Sequence, residues 1–223
     1  MMIKRFIVIS LCVVLPLWGD SNKAFDWDKL ELQLKNQYGP RAGLRLRAWE
    51  KVLTDPNLVT DLNKLERVNH FFNLLNFVDD IPLWGKKDYW ATPLEFIGAN
   101  GGDCEDFSIA KYFSLLELGI PENKLRITYV KALSLNQFHM VLAYYETPSS
   151  IPLILDNINP KILPSTHRRD LLPIYSFNGE NLWLSKVKGQ GKLAGKSSRL
   201  QSWNKLRSRF SAASLRTPLY SLD

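Results

Sequence analysis

The spacing of apolar residues changes part-way along this chain, and that change limits the folds open to it. From Thr60 onward, Leu62, Leu65, Val68, Phe71, Phe72 and Leu75 recur three or four residues apart; Ile109, Phe113 and Leu116 repeat the pattern further on. Such spacing gathers apolar side chains on one face of a helix. From Leu125 the period is two: Leu125, Ile127 and Tyr129 alternate with Arg126 and Thr128. Over residues 137–145, His139, Val141, Ala143 and Tyr145 fall on one face, and Phe138, Met140, Leu142 and Tyr144 on the other. A strand apolar on both faces belongs inside a sheet. A short strand over 153–156 follows, and Asn178-Gly179 marks a hairpin between 174–177 and 182–184. Helices first, then a helix leading into antiparallel strands, is an α+β order.

The same reading sets boundaries. Helices are expected over 27–38 and 43–54, and Thr60 or Asp61 caps the next. Residues 77–102, rich in aromatics and prolines, read as an irregular, shaped loop of the kind that borders a site. A helix is expected from about Asp103, its N-cap, to Leu118, with Gly119 and Pro121 stopping it. Gly101 and Gly102 before it are expected to supply backbone geometry that other residues resist.

Hydrophobic residues make up 45% of the 223 and charged residues 23%, a balance that argues against disorder. Lys4 and Arg5 precede an apolar run from Phe6 to Trp18, the pattern of a secretory signal, too short for a comfortable membrane span. Residues 1–24 are therefore expected to be a removable signal and the product a soluble exported protein, which disfavours nucleic acid as a partner. The formal charge of +7 misleads. Residues 186–223 carry nine Lys and Arg against one acid, whereas residues 25–185 carry 17 Lys and Arg against 20 Asp and Glu. The chain thus divides into a signal, a domain over 25–185 and a basic tail over 186–223. That tail is expected to be solvated, with contact to anionic lipid or another protein as the alternative.

Once residues 1–24 are set aside with Cys12, Cys104 is the one cysteine left. Exported proteins usually pair their cysteines, so a single thiol is either inert in a core or kept for its reactivity. Cys104 stands at a glycine-to-helix junction, where the helix dipole favours a thiolate. A nucleophile needs a base, and the base an orienting group. His139 and Asp156 lie on the second and third strands after the helix, and adjacent antiparallel strands can set them side by side. Cysteine, histidine and aspartate on helix, strand and strand form the arrangement of papain-like and transglutaminase-like enzymes.

Several ordered stretches sharpen this: Asp88-Tyr89-Trp90-Ala91-Thr92-Pro93, Gly102-Asp103-Cys104-Glu105-Asp106-Phe107, Tyr129-Val130-Lys131-Ala132-Leu133, Asn136 with His139-Met140-Val141-Leu142, and Leu155-Asp156-Asn157. Together they resemble the bacterial transglutaminase-like cysteine proteinases over roughly residues 27–185. The resemblance implies a papain-like, transglutaminase-like core and a calcium-dependent protease of the Gram-negative periplasm. It implies a large surface adhesin as substrate, cut near its N-terminus at a pair of small residues so that a biofilm disperses. It also implies an inner-membrane receptor for cyclic diguanylate as a sequestering partner. Cys104 matches the nucleophile, His139 the general base, Asp156 the orienting acid, and Asp103 and Glu105 calcium ligands. Two carboxylates beside a thiolate should blunt it, and a bound cation would reverse that sign. Calcium takes six to eight oxygens, so more ligands are needed; Asp88 is the first candidate, with Asp79, Asp80 and loop carbonyls behind it. The backbone N–H of Cys104 can help hold an oxyanion, and the indole N–H of Trp90 is a candidate second donor. A transglutaminase or amidase using the same three residues, and a binding module without catalysis, are the competing readings.

Overall fold

The computed structural model describes residues 25–185, 191–210 and 215–223. The expected signal segment 1–24, with Cys12, lies outside the described residues. Helices α1 (Trp27–Tyr38) and α2 (Pro40–Leu53) form a hairpin turned at Gly39, whose φ of 95° suits glycine. Pro40 at the first position of α2 has its φ already set for a helix, so α2 starts earlier than its apolar spacing suggests. Helix α3 (Asp61–Phe72) is capped by Thr60, whose hydroxyl accepts from the Asn63 N–H at 3.2 Å.

The stretch expected as a loop instead holds β1 (Asn76–Phe77), α4 (Asp80–Trp84), α5 (Pro93–Ala99) and β2 (Gly101–Gly102). Strand β1 pairs in parallel with β2. The overlooked signal is local. Thr92 and Glu95 cap each other reciprocally, with Pro93 in the first turn between them.

Helix α6 (Cys104–Glu117) then leads into β3 (Leu125–Ala132), β4 (Gln137–Tyr144), β5 (Leu153–Leu155), β6 (Leu163–Pro164), β7 (Leu171–Phe177), β8 (Asn181–Leu184) and β9 (Lys192–Lys196). Strands β3 to β9 make one antiparallel sheet in the order β6-β5-β4-β3-β7-β8-β9. This is the expected α+β architecture. Helix α6 is buried from Asp106 to Leu115 and packs on β4 and β3. Met140, Leu142 and Tyr144 join the main core with α6, while Val141, Ala143 and Tyr145 build a smaller cluster with Val130 and Ile154 on the other face.

The described part of 186–223 is not a solvated tail. Besides β9 it forms α7 (Gln201–Phe210), whose Trp203 and Leu206 are fully buried. Trp203 stacks on Phe113 with ring centroids 5.8 Å apart. Trp203, Leu206 and Phe210 are spaced as an amphipathic helix requires, and the count of basic residues hid that stripe. Residues 215–223 run back across α4 and α5. Leu219 donates its N–H to the Leu83 carbonyl at 2.8 Å, and Arg216 donates its N–H to Glu95 at 2.9 Å. Among the described residues no helix is long and apolar enough to cross a membrane.

Candidate active site

The start of α6 is fixed by close approach rather than by unusual backbone angles. Neither Gly101 nor Gly102 has a left-handed φ, contrary to the expectation from sequence. A Cβ on Gly102 would collide with the Asp106 carboxylate, and one on Gly101 with the Asn76 carbonyl. The room they leave lets the fully buried Asp106 accept from the Ala91 N–H at 2.7 Å and the Asp103 N–H at 3.3 Å. Asp106 thereby ties the segment before α5 to the first turn of α6. Cys104, half-buried, is the free cysteine among the described residues. Its thiol donates to Glu105 Oε2 at 3.1 Å, and its sulfur receives the backbone N–H of Met140. Burial pushes the thiol pKa up, and the charges of Glu105 and Asp103 push it further; the Met140 N–H only partly opposes them.

Strand lengths set the other half of the site. Strand β5 ends at Leu155, opposite Leu142, so residues 137–141 of β4 have no strand along that edge. The Met140 N–H is therefore available to Cys104. Asp156, one residue beyond the ladder, lies diagonal to His139, and Oδ1 meets His139 Nε2 at 2.7 Å. Both side chains are buried. Asp156 Oδ1 also accepts from the Ile158 N–H at 3.0 Å, and Oδ2 accepts from Arg168 Nη2 at 2.7 Å. Asn73 Nδ2 donates to the Asp156 carbonyl at 2.8 Å. Burial alone would raise the Asp156 carboxyl. The His139 bond and charge, with the Ile158 N–H and Arg168, outweigh it and bring the pKa to about 2. Because Nε2 is engaged, Nδ1 is the nitrogen left to exchange a proton with a thiol. The imidazole and thiol are not hydrogen-bonded to each other; they meet at consecutive residues, His139 and Met140. Such contacts are often long before substrate closes them.

The acids around Cys104 gather more tightly than the sequence suggested. One carboxylate oxygen from each of Asp80, Asp103 and Asp106 lies within 4.8 Å of the others, and the same holds for Asp80, Asp88 and Glu105. Asp80 belongs to both groups. Burial, then the charges of neighbouring acids, pushes Asp80 up to about 7 and Asp103 to about 12. Asp106 is raised well above its usual range for the same reasons. Asp80 Oδ1 and Asp103 Oδ1 are buried without a hydrogen-bond partner. Orphaned oxygens in an all-oxygen set suit a hard divalent cation.

A family profile described as bacterial transglutaminase-like cysteine proteinase BTLCP matches residues 50–185. The chain belongs to this family. Its family is one of cysteine proteinases. Solved structures of LapG from Legionella pneumophila, among them calcium-bound and EGTA-treated forms, are each 43% identical to it. Each match covers 83% of this chain and 97–99% of the LapG chain, with TM-scores of 0.71–0.73. Comparison with curated protein sequences finds no match. The α+β fold with its transglutaminase-like core is thus the fold of this proteinase family.

The sequence gives no hint of Arg168 and ranks Asp80 only behind Asp88 as a calcium ligand. Arg168 reads as part of a polar loop, yet it is buried against Asp156. Asp80 lies 23 residues before Asp103, and only the turn into α4 brings them together. Asp88 is exposed, and its carboxylate accepts from Trp90 Nε1 and from Ser202 Oγ, each at 2.8 Å. The Trp90 indole is therefore committed to Asp88 and is not a free oxyanion donor. Asp79 is exposed at the rim and belongs to neither acid group. Cys104 opens on a cleft of about 560 Å³, walled by Tyr129, Phe138 and Tyr175 and edged by Asp79, Asp88 and Glu105.

Proposed function

We propose that this proteinase is a calcium-dependent endopeptidase in which Cys104 attacks the peptide carbonyl, His139 moves the proton and Asp156 orients His139. One observation carries the reading: an imidazole locked through Nε2 to a buried, ionised carboxylate lies next in sequence to the N–H that holds the Cys104 sulfur. His139 Nδ1 takes the thiol proton, and the sulfur forms a thioester as the peptide bond breaks. The same nitrogen returns the proton to the departing amine. It then draws one from the water that hydrolyses the thioester. The Cys104 N–H, at the open end of α6, can donate to the oxyanion. Asp156 stabilises the charged imidazole and keeps Nδ1 aimed at the sulfur.

Asp80, Asp103 and Glu105 are the proposed calcium ligands, with Asp88 or Asp106 completing the set. The orphaned oxygens of Asp80 and Asp103 and the crowding of these acids support this reading, as does the calcium-bound LapG. A bound cation would offset the acids' field and so favour the thiolate. We further propose the export expected from residues 1–24, and action in the periplasm. There the substrate would be a large repeat adhesin cut near its N-terminus at an Ala-Ala type site, whose release disperses a biofilm. An inner-membrane cyclic-diguanylate receptor would hold the enzyme back. Incubation with such an adhesin fragment, with and without an amine donor, tests this. Two products of cleavage, lost in Cys104→Ala by at least about 10⁴-fold, are expected. Cross-linking to the amine without cleavage would make the enzyme a transglutaminase instead.

A further inference from the structure

The edge of β4 beside Cys104 offers backbone groups that the proposed chemistry leaves unused. Because the Met140 N–H turns to the Cys104 sulfur, Met140 faces its backbone groups away from β3. Backbone direction alternates along a strand, so Phe138 turns its N–H and C=O to the same side, whereas His139 turns its own to Val130. Among the described residues no strand lies on that side, since β5 ends opposite Leu142. Gln137 and Phe138 are exposed and line the cleft on which Cys104 opens. An unpaired edge with donor and acceptor is a template for an extended peptide. The Phe138 side chain suits such a neighbour as well. Its ring stacks on Tyr129 with centroids 5.3 Å apart, and the Lys131 ammonium lies 4.8 Å from its centre. The ring is thus held in place, yet 58% of the residue stays exposed.

The order of bond breaking decides which part of a substrate lies there. The segment before the cut stays on Cys104 as the acyl group. The segment after it leaves as the amine that takes its proton from His139. His139 belongs to β4, so the departing segment lies along β4. Running from Cys104 past His139 toward Gln137, it is antiparallel to β4, the sense in which one residue exchanges both bonds with Phe138. The residue two positions earlier then meets Met140, beside the sulfur, so the residue facing Phe138 is the second after the cut. We propose that the enzyme holds the leaving side of its protein substrate as an added antiparallel strand on residues 137–138, Phe138 exchanging two backbone hydrogen bonds with the second residue after the cut and its ring selecting an apolar, β-branched side chain there. Cross-strand pairs of aromatic and β-branched residues are favourable. The direction of the strand rests on the proposed function; the open edge does not.

The test uses the peptide acetyl-Gly-Ala-Ala-Val-Thr-amide, to be cut between its alanines, in calcium-containing buffer. Binding is followed by amide NMR on Cys104→Ala protein, so it needs no turnover. The Phe138 amide proton should move downfield and saturate. An ester in place of the amide before valine removes the N–H offered to the Phe138 carbonyl, and should weaken binding about three- to tenfold, the scale of one hydrogen bond. The same ester before threonine, whose N–H points away from β4, should leave the affinity unchanged. Serine in place of the peptide's valine should cost about two- to fivefold, and nothing once Phe138→Ala is added; Phe138→Leu should restore part of the preference. In cleavage by the wild-type enzyme these losses should appear in KM rather than kcat, as for a contact made equally before and during reaction. No saturable shift at Phe138, no ester loss at valine, or equal losses at valine and threonine would overturn the added strand. A valine preference that survives Phe138→Ala would overturn the role of the ring. Alternating ester losses without cleavage by the wild type would refute the proteolytic reading and keep the strand; cleavage without the alternation would do the reverse.

Discussion

The two halves of the proposed active site treat buried charge in opposite ways. On the base side, Asp156 is buried but answered: His139, Arg168 and the Ile158 N–H all donate to it, and its pKa falls to about 2. On the other side, the buried Asp80 and Asp106 and the half-buried Asp103 crowd one another beside Cys104, and their pKa values rise. A carboxylate surrounded by donors needs nothing further. A carboxylate surrounded by carboxylates waits for a cation. Under the proposed function, one half of the site is complete within the chain and the other is completed by calcium.

The largest expected effect breaks the self-contained side. His139→Ala should lower kcat by about 10⁴-fold, by analogy with triads in general, and added calcium should not restore it in a peptide-cleavage assay. Removing calcium with EGTA should lower activity by at least about 10²-fold, a loss of the size that follows damage to a metal site, and here calcium should restore it. A protein fully active in EGTA would remove the contrast altogether.

Substitutions on the two sides should also differ in stability. Arg168→Met leaves Asp156 buried and short of a partner, so chemical denaturation should show a loss of about 3–5 kcal/mol whether or not calcium is present. Asp80→Asn should behave with opposite signs in the two conditions. Without calcium it relieves repulsion and should raise the melting temperature by about 2–4 °C; with calcium it should lower it, because a ligand is lost. A melting temperature that falls equally in both conditions would mean that Asp80 is structural only.

The smallest effect is one of pH. Asp80 has a folded pKa of about 7 against an ordinary value of 3.8, so the folded state binds the proton more tightly than the unfolded one. Its contribution to stability is complete below about pH 4 and is lost as pH rises to about 7. Melting temperatures in EGTA should fall over that interval, and calcium should flatten the slope. Asp156 runs the other way: its folded pKa is about 2, so its contribution is held above about pH 4 and lost only as pH falls toward 2. A slope unchanged by calcium would place the cation elsewhere.

The parts that could be read from sequence are those whose signal is periodic. Helix α6 and strands β3 and β4 lie where the change of period puts them, because Ile109, Phe113, Ile127 and Leu142 each face a core that their spacing anticipates. Cys104 begins α6, His139 lies near the start of β4 and Asp156 follows β5, which is why they could be singled out. Helix α5 escaped because a seven-residue element has too few turns to show a period, and its signal is the Thr92–Glu95 cap. Arg168 escaped, and Asp80 ranked only behind Asp88, for a different reason. Their roles depend on what chain reversals bring near them, and no local spacing records that.

The strap formed by the last residues has a consequence for how the enzyme folds. Cys104, His139, Asp156 and Arg168 lie within 65 residues of one another, and their outside supports, Asn73, Ala91 and Asp170, are at most 83 positions away. The frame that carries Asp80 and Asp88 is held from much further away. Arg216 reaches the Trp84 carbonyl across 132 positions and Glu95 across 121, and Arg209 reaches the Trp90 carbonyl across 119. Contacts so distant in sequence close late, since the entropy of the intervening loop is lost before they form. The acid frame around Asp80 and Asp88 therefore depends on longer-range closure than the contacts of Asp156 do.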